Sequence, residues 1–214
     1  MKVKWLGHAS FLVTSDSGVK VITDPYVAGM GINYDEIKET ADVLTVSHEH
    51  PDHNNTAIPG DPKVVKGAGT TEVKGISFKG IESFHDASGG SERGPNTIFC
   101  FTVDGVRLCH LGDLGHPLSA EQAGAIGEVD VLMIPIGGVF TIDAAGASAV
   151  VAQLKPRVTI PMHYSTAKCL YPIAPVEAFT EGKENVKKAS GAEVEFKAGA
   201  LPAATEIVVL GHAC

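Results

Sequence analysis

The sequence lacks any long apolar run and carries no signal of export. Nowhere does it approach the roughly 18 consecutive apolar residues that a membrane-spanning helix needs. Residues 1–6 alternate between apolar and charged side chains, as in a strand, and lack the apolar segment and cleavage site of a signal peptide. We therefore expect no transmembrane helix, no membrane partner and a cytoplasmic location.

Basic residues and cysteines are also scarce. Seventeen Lys and Arg stand against 25 Asp and Glu, a formal net charge of −8. Because polyanions usually bind a basic face, this balance disfavours nucleic acid and favours a small-molecule substrate. Cys100, Cys109, Cys169 and Cys214 form no C-x-x-C pair and fit reduced thiols better than a disulfide framework. Cys100 and Cys109 fall on adjacent strands of a predicted hairpin, where they could approach each other.

Length and patterning predict one α/β domain over residues 1–214. A chain of this size with 44% hydrophobic residues can bury one sizeable core. Short apolar strands and turns fill the first half, whereas the second half adds helices over residues 119–127, 143–154 and 176–190. Ser119, with Gln122 three residues later, matches a helix-capping box. Strand meanders plus covering helices predict two mixed β-sheets packed face to face with helices on the outer faces, a four-layer αββα sandwich.

The hexapeptide His48-Glu49-His50-Pro51-Asp52-His53 places four metal-binding side chains in six residues. It follows an apolar strand over residues 43–47, so the ligands sit on a loop anchored by a rigid element. His48 and His50 are two residues apart and project to the same side of an extended chain, where they can bind one ion. Asp52 and His53 follow Pro51, which breaks the extended pattern and lets them bind a second ion. Imidazole and carboxylate suit divalent zinc foremost, and also manganese or iron.

This hexapeptide resembles the H-x-H-x-D-H signature of the metallo-β-lactamase superfamily. The further landmarks of that superfamily occur in the same order along this chain: Asp24-Pro25, His85, Gly112-Asp113 and Pro161-Met162-His163-Tyr164. Within the superfamily, the opening Trp5-Leu6-Gly7-His8-Ala9-Ser10 resembles a branch of small single-domain hydrolases related to ascorbate-6-phosphate lactonase. The resemblance implies the four-layer αββα fold and a binuclear hydrolase that uses a metal-bridging hydroxide.

The resemblance also implies a division of the ligands between two metal ions. The first ion would be held by His48, His50 and His85, the second by Asp52, His53 and His163, and Asp113 would bridge them. His110 and His116 compete with His85 for the third position on the first ion. Asp24 resembles a buried acid that orients the ligands without touching the metal.

Further catalytic roles and the substrate stay open at this point. Asp52 would orient the hydroxide, and His116 or His8 would protonate the leaving group. Hydrolysis of a small ester-like substrate, a lactone or phosphodiester, is the leading hypothesis. The alternatives are a metal-dependent nuclease or phosphodiesterase and a non-catalytic metal-binding sensor. The sequence does not indicate the oligomeric state.

Overall fold

The computed structural model describes residues 1–29 and 31–214, which form two mixed β-sheets. The first sheet contains β1 (Lys2–Gly7), β2 (Ser10–Thr14), β3 (Lys20–Thr23), β4 (Val43–Val46), β5 (Lys63–Lys66) and β13 (Glu193–Glu195). The second contains β6 (Gly69–Val73), β7 (Ile76–Phe84), β8 (Pro95–Val103), β9 (Val106–His110), β10 (Val131–Pro135), β11 (Val158–Met162), β12 (Val186–Lys188) and β14 (Glu206–Val209). Both mixed sheets of the predicted sandwich are therefore confirmed.

Each sheet has an antiparallel part and a parallel part. The first has the order β13-β1-β2-β3-β4-β5, antiparallel from β13 to β3 and parallel from β3 to β5. The second has the order β12-β14-β11-β10-β9-β8-β7-β6, parallel from β12 to β9 and antiparallel beyond. It follows that β1, β3 and β4 run in one direction in the first sheet, and that β7, β9, β10 and β11 run in one direction in the second.

Alternating side chains of the first sheet enter two different hydrophobic clusters. Phe11, Val13 and Val21 join the large cluster that also holds Phe99 and Met133 of the second sheet. This shared cluster packs the two sheets against each other, as the period-two pattern of half-buried strands requires. The opposite face of the first sheet packs on a smaller cluster.

Three short helices lie between strands of the second half: α1 (Ala120–Ile126), α2 (Ala144–Leu154) and α3 (Glu177–Thr180). The predicted capping box is confirmed, because the Ser119 side chain accepts from the Gln122 backbone and the Gln122 side chain accepts from the Ser119 backbone. Ala147 and Val150 of α2 join the large cluster that covers the second sheet. No helix in the described ranges is long and apolar enough to cross a membrane.

The outer layer on the first sheet differs from the predicted helical layer. Its cluster is completed by apolar side chains from the segment between β3 and β5, and within the described part of that segment the chain forms no helix. Tyr26, Tyr34 and Ile58 supply buried area there without helical periodicity. Irregular chain can cover a sheet face when large apolar side chains recur along it, and Pro25 and Pro59 disfavour a continuous helix.

The predicted helix over residues 176–190 is wrong in its extent. The helix stops at Thr180, and Gly182 then adopts a left-handed backbone with φ +73°. Left-handed glycine commonly terminates helices. The following residues form β12, which pairs in parallel with β14. Phe179 alone anchors the short helix in the core, so the apolar pattern beyond it belongs to a strand.

Strand β6 was not predicted, because its sequence Gly-Thr-Thr-Glu-Val shows no apolar alternation and is largely exposed. It forms a hairpin with β7 across Lys74 and Gly75, whose φ angles are both positive at +54° and +76°. Two central residues with positive φ are the mark of a tight turn whose twist matches that of paired strands. Turn geometry, and not burial, defines this edge strand.

Candidate metal centre

The candidate site lies where six strands of the two sheets end. The loop from His48 to His53 follows β4, Asp24 follows β3, and His8 follows β1 in the first sheet. In the second sheet His85 follows β7, Asp113 follows β9 and His163 follows β11. The backbone N–H of His163 donates to the carbonyl of His8 over 3.2 Å, which joins the two edges. The topology therefore brings together segments that are far apart in the sequence.

The predicted ligands form two compact groups. In each group, one ligand atom from every member lies within 4.8 Å of the others. One group contains His48, His50 and His85. The other contains His8, Asp52, His53 and His163. These two groups contain the histidines and Asp52 that the resemblance assigned to the two ions, with His8 as a fourth side chain in the second group, and a third group contains Asp24, His48 and His53.

Asp113 lies between the two groups. Its Oδ2 is 3.2 Å from Nε2 of His85 in the first group and 3.2 Å from Nε2 of both His53 and His163 in the second. A carboxylate in this position can offer an oxygen to each of two neighbouring cations. The arrangement is the one that the resemblance implied for Asp113.

The backbone around Asp113 requires glycine at position 112. Gly112 has φ +55°, and a Cβ there would lie 2.3 Å from the Asn96 Oδ1 and 2.6 Å from the Ser47 Cβ. Asn96 accepts from the backbone N–H of Asp113 at 2.9 Å and donates to the carbonyl of Leu111 at 2.9 Å. Asn96 therefore fixes the turn that carries Asp113. The signal in the sequence was an asparagine, a residue depleted in strands, at the start of a largely apolar strand.

Asp24 orients the histidines of the hexapeptide. Its Oδ2 accepts from Nδ1 of His53 at 2.8 Å, and its carboxylate also accepts from the backbone N–H and the hydroxyl of Ser47. The Ser47 hydroxyl in turn lies 2.9 Å from Nδ1 of His48. With their Nδ1 atoms engaged, His53 and His48 present Nε2 to the centre. Ser47 was not predicted to have this role.

His85 is held by a backbone carbonyl. Its Nδ1 donates to the carbonyl oxygen of Phe140 at 3.0 Å, which leaves Nε2 facing Asp113. Neither competitor for its place lies in the two groups. His110 uses both ring nitrogens, Nε2 toward the Ala9 carbonyl and Nδ1 toward the Gly112 N–H. The geometry therefore favours His85 over His110 as the third ligand.

His116 is turned away from the centre as well. Its Nε2 accepts from the backbone N–H of Phe84 at 3.1 Å, and its Nδ1 donates to the carbonyl of Pro117 at 2.8 Å. Both nitrogens thus hold backbone groups, as in a structural histidine. The structure does not bring His116 to the predicted ligands, and we assign it no step.

His8 does lie at the centre. It is fully buried, its ring is 4.2 Å from that of His163, and its Nε2 is 3.3 Å from the Asp52 Oδ2. Trp5 holds the turn because its indole N–H donates to the His8 carbonyl at 3.0 Å. His8, Asp24 and His163 all have positive φ, at +52°, +39° and +51°. Such backbone strain is uncommon outside glycine and is concentrated at functional sites.

Burial and mutual contact set the charges in the centre. Burial lowers the pKa of His48 to about 3 and that of His8 to about 4, so both rings are neutral lone-pair donors at neutral pH. Burial opposes charge on Asp113 too, but His163 and His53 beside it hold its pKa well below the usual value. Against the same burial penalty, Asp113 and Asp24 raise the pKa of His53. The carboxylates of Asp113 and Asp24 are therefore ionised and favour positive charge beside them.

Several buried polar atoms of the centre have no hydrogen-bond partner. They include Nε2 of His48 and His53, Oδ1 of Asp113 and both ring nitrogens of His8. Buried polar atoms without partners are rare in proteins, and each such atom needs an explanation. Unpaired imidazole nitrogens and carboxylate oxygens converging at this spacing fit divalent cations of the zinc, manganese or iron kind.

Two mixed sheets that converge on a histidine and aspartate cluster at their strand ends define a metal-dependent hydrolase of the metallo-β-lactamase fold. A family model described as the beta-lactamase superfamily domain matches residues 2–163, and the chain belongs to that superfamily.

Two relatives that are both named UPF0173 metal-dependent hydrolase cover nearly the whole chain. The UPF0173 metal-dependent hydrolase of Archaeoglobus fulgidus is 32% identical over 91% of this chain and 94% of its own. That of Pelotomaculum thermopropionicum is 31% identical over 92% and 96%. A crystal structure of a Thermotoga maritima protein, named as a Zn-dependent hydrolase of the metallo-beta-lactamase superfamily, is 34% identical with a TM-score of 0.82, covering 98% and 97%. The chain is thus a metal-dependent hydrolase, whereas kinship to a lactonase stays a prediction.

The Asp24→Asn variant should bind metal about 10- to 100-fold more weakly than the native protein, as is typical when an orienting partner of ligands is lost. The amide cannot accept from both His53 and Ser47 as the carboxylate does. Competition with a chromophoric chelator measures the affinity. Asp130→Asn is the matched control, since Asp130 is equally a buried carboxylate but pairs with Arg107. Equal affinities in the two variants would contradict the orienting role.

Proposed function

We propose that this protein is a binuclear metal-dependent hydrolase that cleaves a small ester-like substrate, a lactone or a phosphodiester. The observation that carries the proposal is the Asp113 carboxylate oxygen, which lies 3.2 Å from histidines of both ligand groups. One carboxylate shared by two adjacent donor sets favours two ions over one. Zinc is proposed foremost, in line with the name of the Thermotoga maritima relative, with manganese or iron as alternatives.

When bound, two such cations would lower the pKa of a water molecule toward neutrality and polarise the carbonyl or phosphoryl oxygen of the substrate. The residues of the chain have distinct tasks around them. His48, His50 and His85 would hold the first ion, and Asp52, His53 and His163 the second. Asp113 would hold both ions at a fixed separation.

Asp52 and His8 form the catalytic pair proposed on the second-ion side. Asp52 is half-buried and ionised, because His53 and His8 lower its pKa against the effect of burial. It can accept a proton from the attacking water and orient it. His8 is neutral at neutral pH and faces Asp52 at 3.3 Å, so it positions that carboxylate. A neutral His8 is a weak acid, so protonation of the leaving group falls to Asp52 after it has received its proton.

Turnover of three chemical classes by the zinc- or manganese-loaded protein tests the proposal. The probes are a δ-lactone, p-nitrophenyl acetate and bis(p-nitrophenyl) phosphate. We expect metal-dependent turnover of at least one of them, with no need for an RNA substrate. Cleavage of RNA alone, with a steep loss of binding as salt rises, would support the nuclease alternative instead. A fully loaded protein inert toward all of these probes would contradict the ester-like substrate.

A cytoplasmic location and a small-molecule partner are part of the same proposal. The acidic net charge, which disfavours polyanions, supports the small-molecule partner. The four cysteines, which are all free thiols, support the reducing cytoplasm.

A further inference from the structure

The large exposed apolar side chains lie on loops that adjoin the ligand loops of the metal centre. In the part of the chain that the structure describes, the large hydrophobic residues that are exposed are Val27 (46%), Phe84 (39%), Val139 (60%) and Leu170 (66%). We call these four residues the apolar rim. Single exposed apolar residues are ordinary on a protein surface, but their concentration at one place marks a binding surface.

Two members of the apolar rim are attached directly to the ligand loops. The backbone N–H of Val27 donates to the carbonyl of Pro51 at 2.9 Å, immediately before Asp52. Phe84 precedes His85 and lines a cavity of about 670 Å³ together with His48 and His50. Phe84 therefore lies beside the first ligand group, and the loop of Val27 contacts the hexapeptide.

The other two members stand across the centre. Val139 precedes Phe140, whose carbonyl holds His85 and whose ring lies 5.6 Å from that of Tyr171. Leu170 precedes Tyr171, and the Tyr171 ring is 5.9 Å from the His8 ring. Phe140 and Tyr171 thus form an aromatic pair that joins the loops of Val139 and Leu170 beside His85 and His8.

Backbone strain at Val139 provides an independent observation. Val139 is 60% exposed, yet it is β-branched and has φ +63°. A β-branched residue in the left-handed region is a true outlier, and burial in the core does not explain it here. The strain displays an apolar side chain to solvent beside the centre, as expected of a residue kept for contact with a ligand.

We propose that the apolar rim binds the hydrocarbon part of the substrate, which makes the substrate an ester, thioester or lactone with a medium-length aliphatic or an aromatic acyl group. This inference rests on the proposed hydrolysis of an ester-like bond. The loops that carry the rim adjoin Asp52, His85 and His8, so the rim fits a hydrocarbon chain whose reacting end lies at the centre. Net charge of −8 disfavours an anionic membrane as the occupant.

Hydrolysis of p-nitrophenyl acetate, butyrate and hexanoate by the zinc-loaded protein tests the inference. Full burial of one methylene of the acyl chain raises kcat/KM about fourfold. Because the rim stays partly exposed, we expect about a twofold rise for each added methylene. We therefore expect kcat/KM to rise on the order of tenfold from acetate to hexanoate. A flat series would overturn the proposal.

The double variant Val139→Asn with Leu170→Asn removes two apolar side chains at similar size, and asparagine tolerates the left-handed backbone at position 139. In this double variant we expect kcat/KM to rise less than about threefold from acetate to hexanoate, because half of the apolar rim has been removed. Leu201→Asn is the control. Leu201 follows Ala198–Ala200, which neighbours the Gly105 turn at the opposite end of β9 from Asp113. An unchanged series in the double variant would overturn the inference.

Calorimetric binding of octanoate and butyrate separates failure of the inference from failure of the proposed function. If no ester is hydrolysed, the proposed function fails, while tighter binding of octanoate with a negative heat-capacity change still supports the rim. Equal binding of the two carboxylates overturns the rim. Size-exclusion chromatography tests whether a second copy of the chain covers the rim instead. If the native protein is a dimer and the double variant is a monomer, the rim is a subunit contact and the proposal is overturned.

Discussion

The Asp113→Asn variant should lose on the order of a thousandfold in kcat/KM, because two cations contribute several kcal/mol to the transition state and each 1.36 kcal/mol is a factor of ten. Asparagine has nearly the same volume but cannot offer a charged oxygen to each ligand group. Steady-state kinetics on whichever ester the native protein hydrolyses best measures the loss.

The fold of this variant should survive the change. The turn is held by the backbone N–H of Asp113, which donates to Asn96, whereas the carboxylate contacts histidines of the two ligand groups through Oδ2. The circular dichroism spectrum should therefore match that of the native protein. Asp130→Asn serves again as the control with full activity expected. A loss of less than about tenfold in Asp113→Asn would contradict its central position.

Metal loading should raise the melting temperature of the protein considerably. A ligand that binds the native state at one hundred times its Kd adds about 2.7 kcal/mol per site. For a chain of this length each kcal/mol is worth about 2–4 °C, so one filled site corresponds to about 5–10 °C. The physical reason is that cations would satisfy buried nitrogens and oxygens that otherwise lack partners.

Differential scanning fluorimetry with and without chelator measures this shift. The double variant His48→Ala with His163→Ala removes one ligand from each group and provides the comparison. Its melting temperature should respond little to zinc. An equal response in native and double-variant proteins would mean that the stabilising metal binds elsewhere.

The ligand loop and its partners could be predicted because their chemistry is carried by side-chain type. The hexapeptide after a buried strand already contains four donors in two pairs. Asp113 and His163 follow further strands, and the parallel runs of both sheets bring such strand ends to one edge. Residue type and spacing were therefore enough to predict the two donor pairs of the hexapeptide, whereas His85, Asp113 and His163 were assigned through the resemblance to the metallo-β-lactamase superfamily.

The supporting contacts could not be predicted, because they depend on backbone geometry. Phe140 holds His85 through a carbonyl that any residue would provide. Asp86 organises the next loop by accepting from the backbone N–H groups of Ser88, Gly90, Glu92 and Arg93. That segment contains Gly89, Gly90 and Gly94, and a single carboxylate holds it through these four hydrogen bonds. The end of α3 at Thr180, shortly before the left-handed Gly182, depends likewise on a local φ that apolar periodicity does not encode.

The number of metal ions bound per chain tests the account most directly. Inductively coupled plasma mass spectrometry on zinc-reconstituted, gel-filtered protein gives this number, and native mass spectrometry confirms it on the intact chain. Two ions per chain are predicted, falling to one or fewer in Asp113→Asn. A single ion in the native protein, unchanged by the Asp113 substitution, would contradict the binuclear centre.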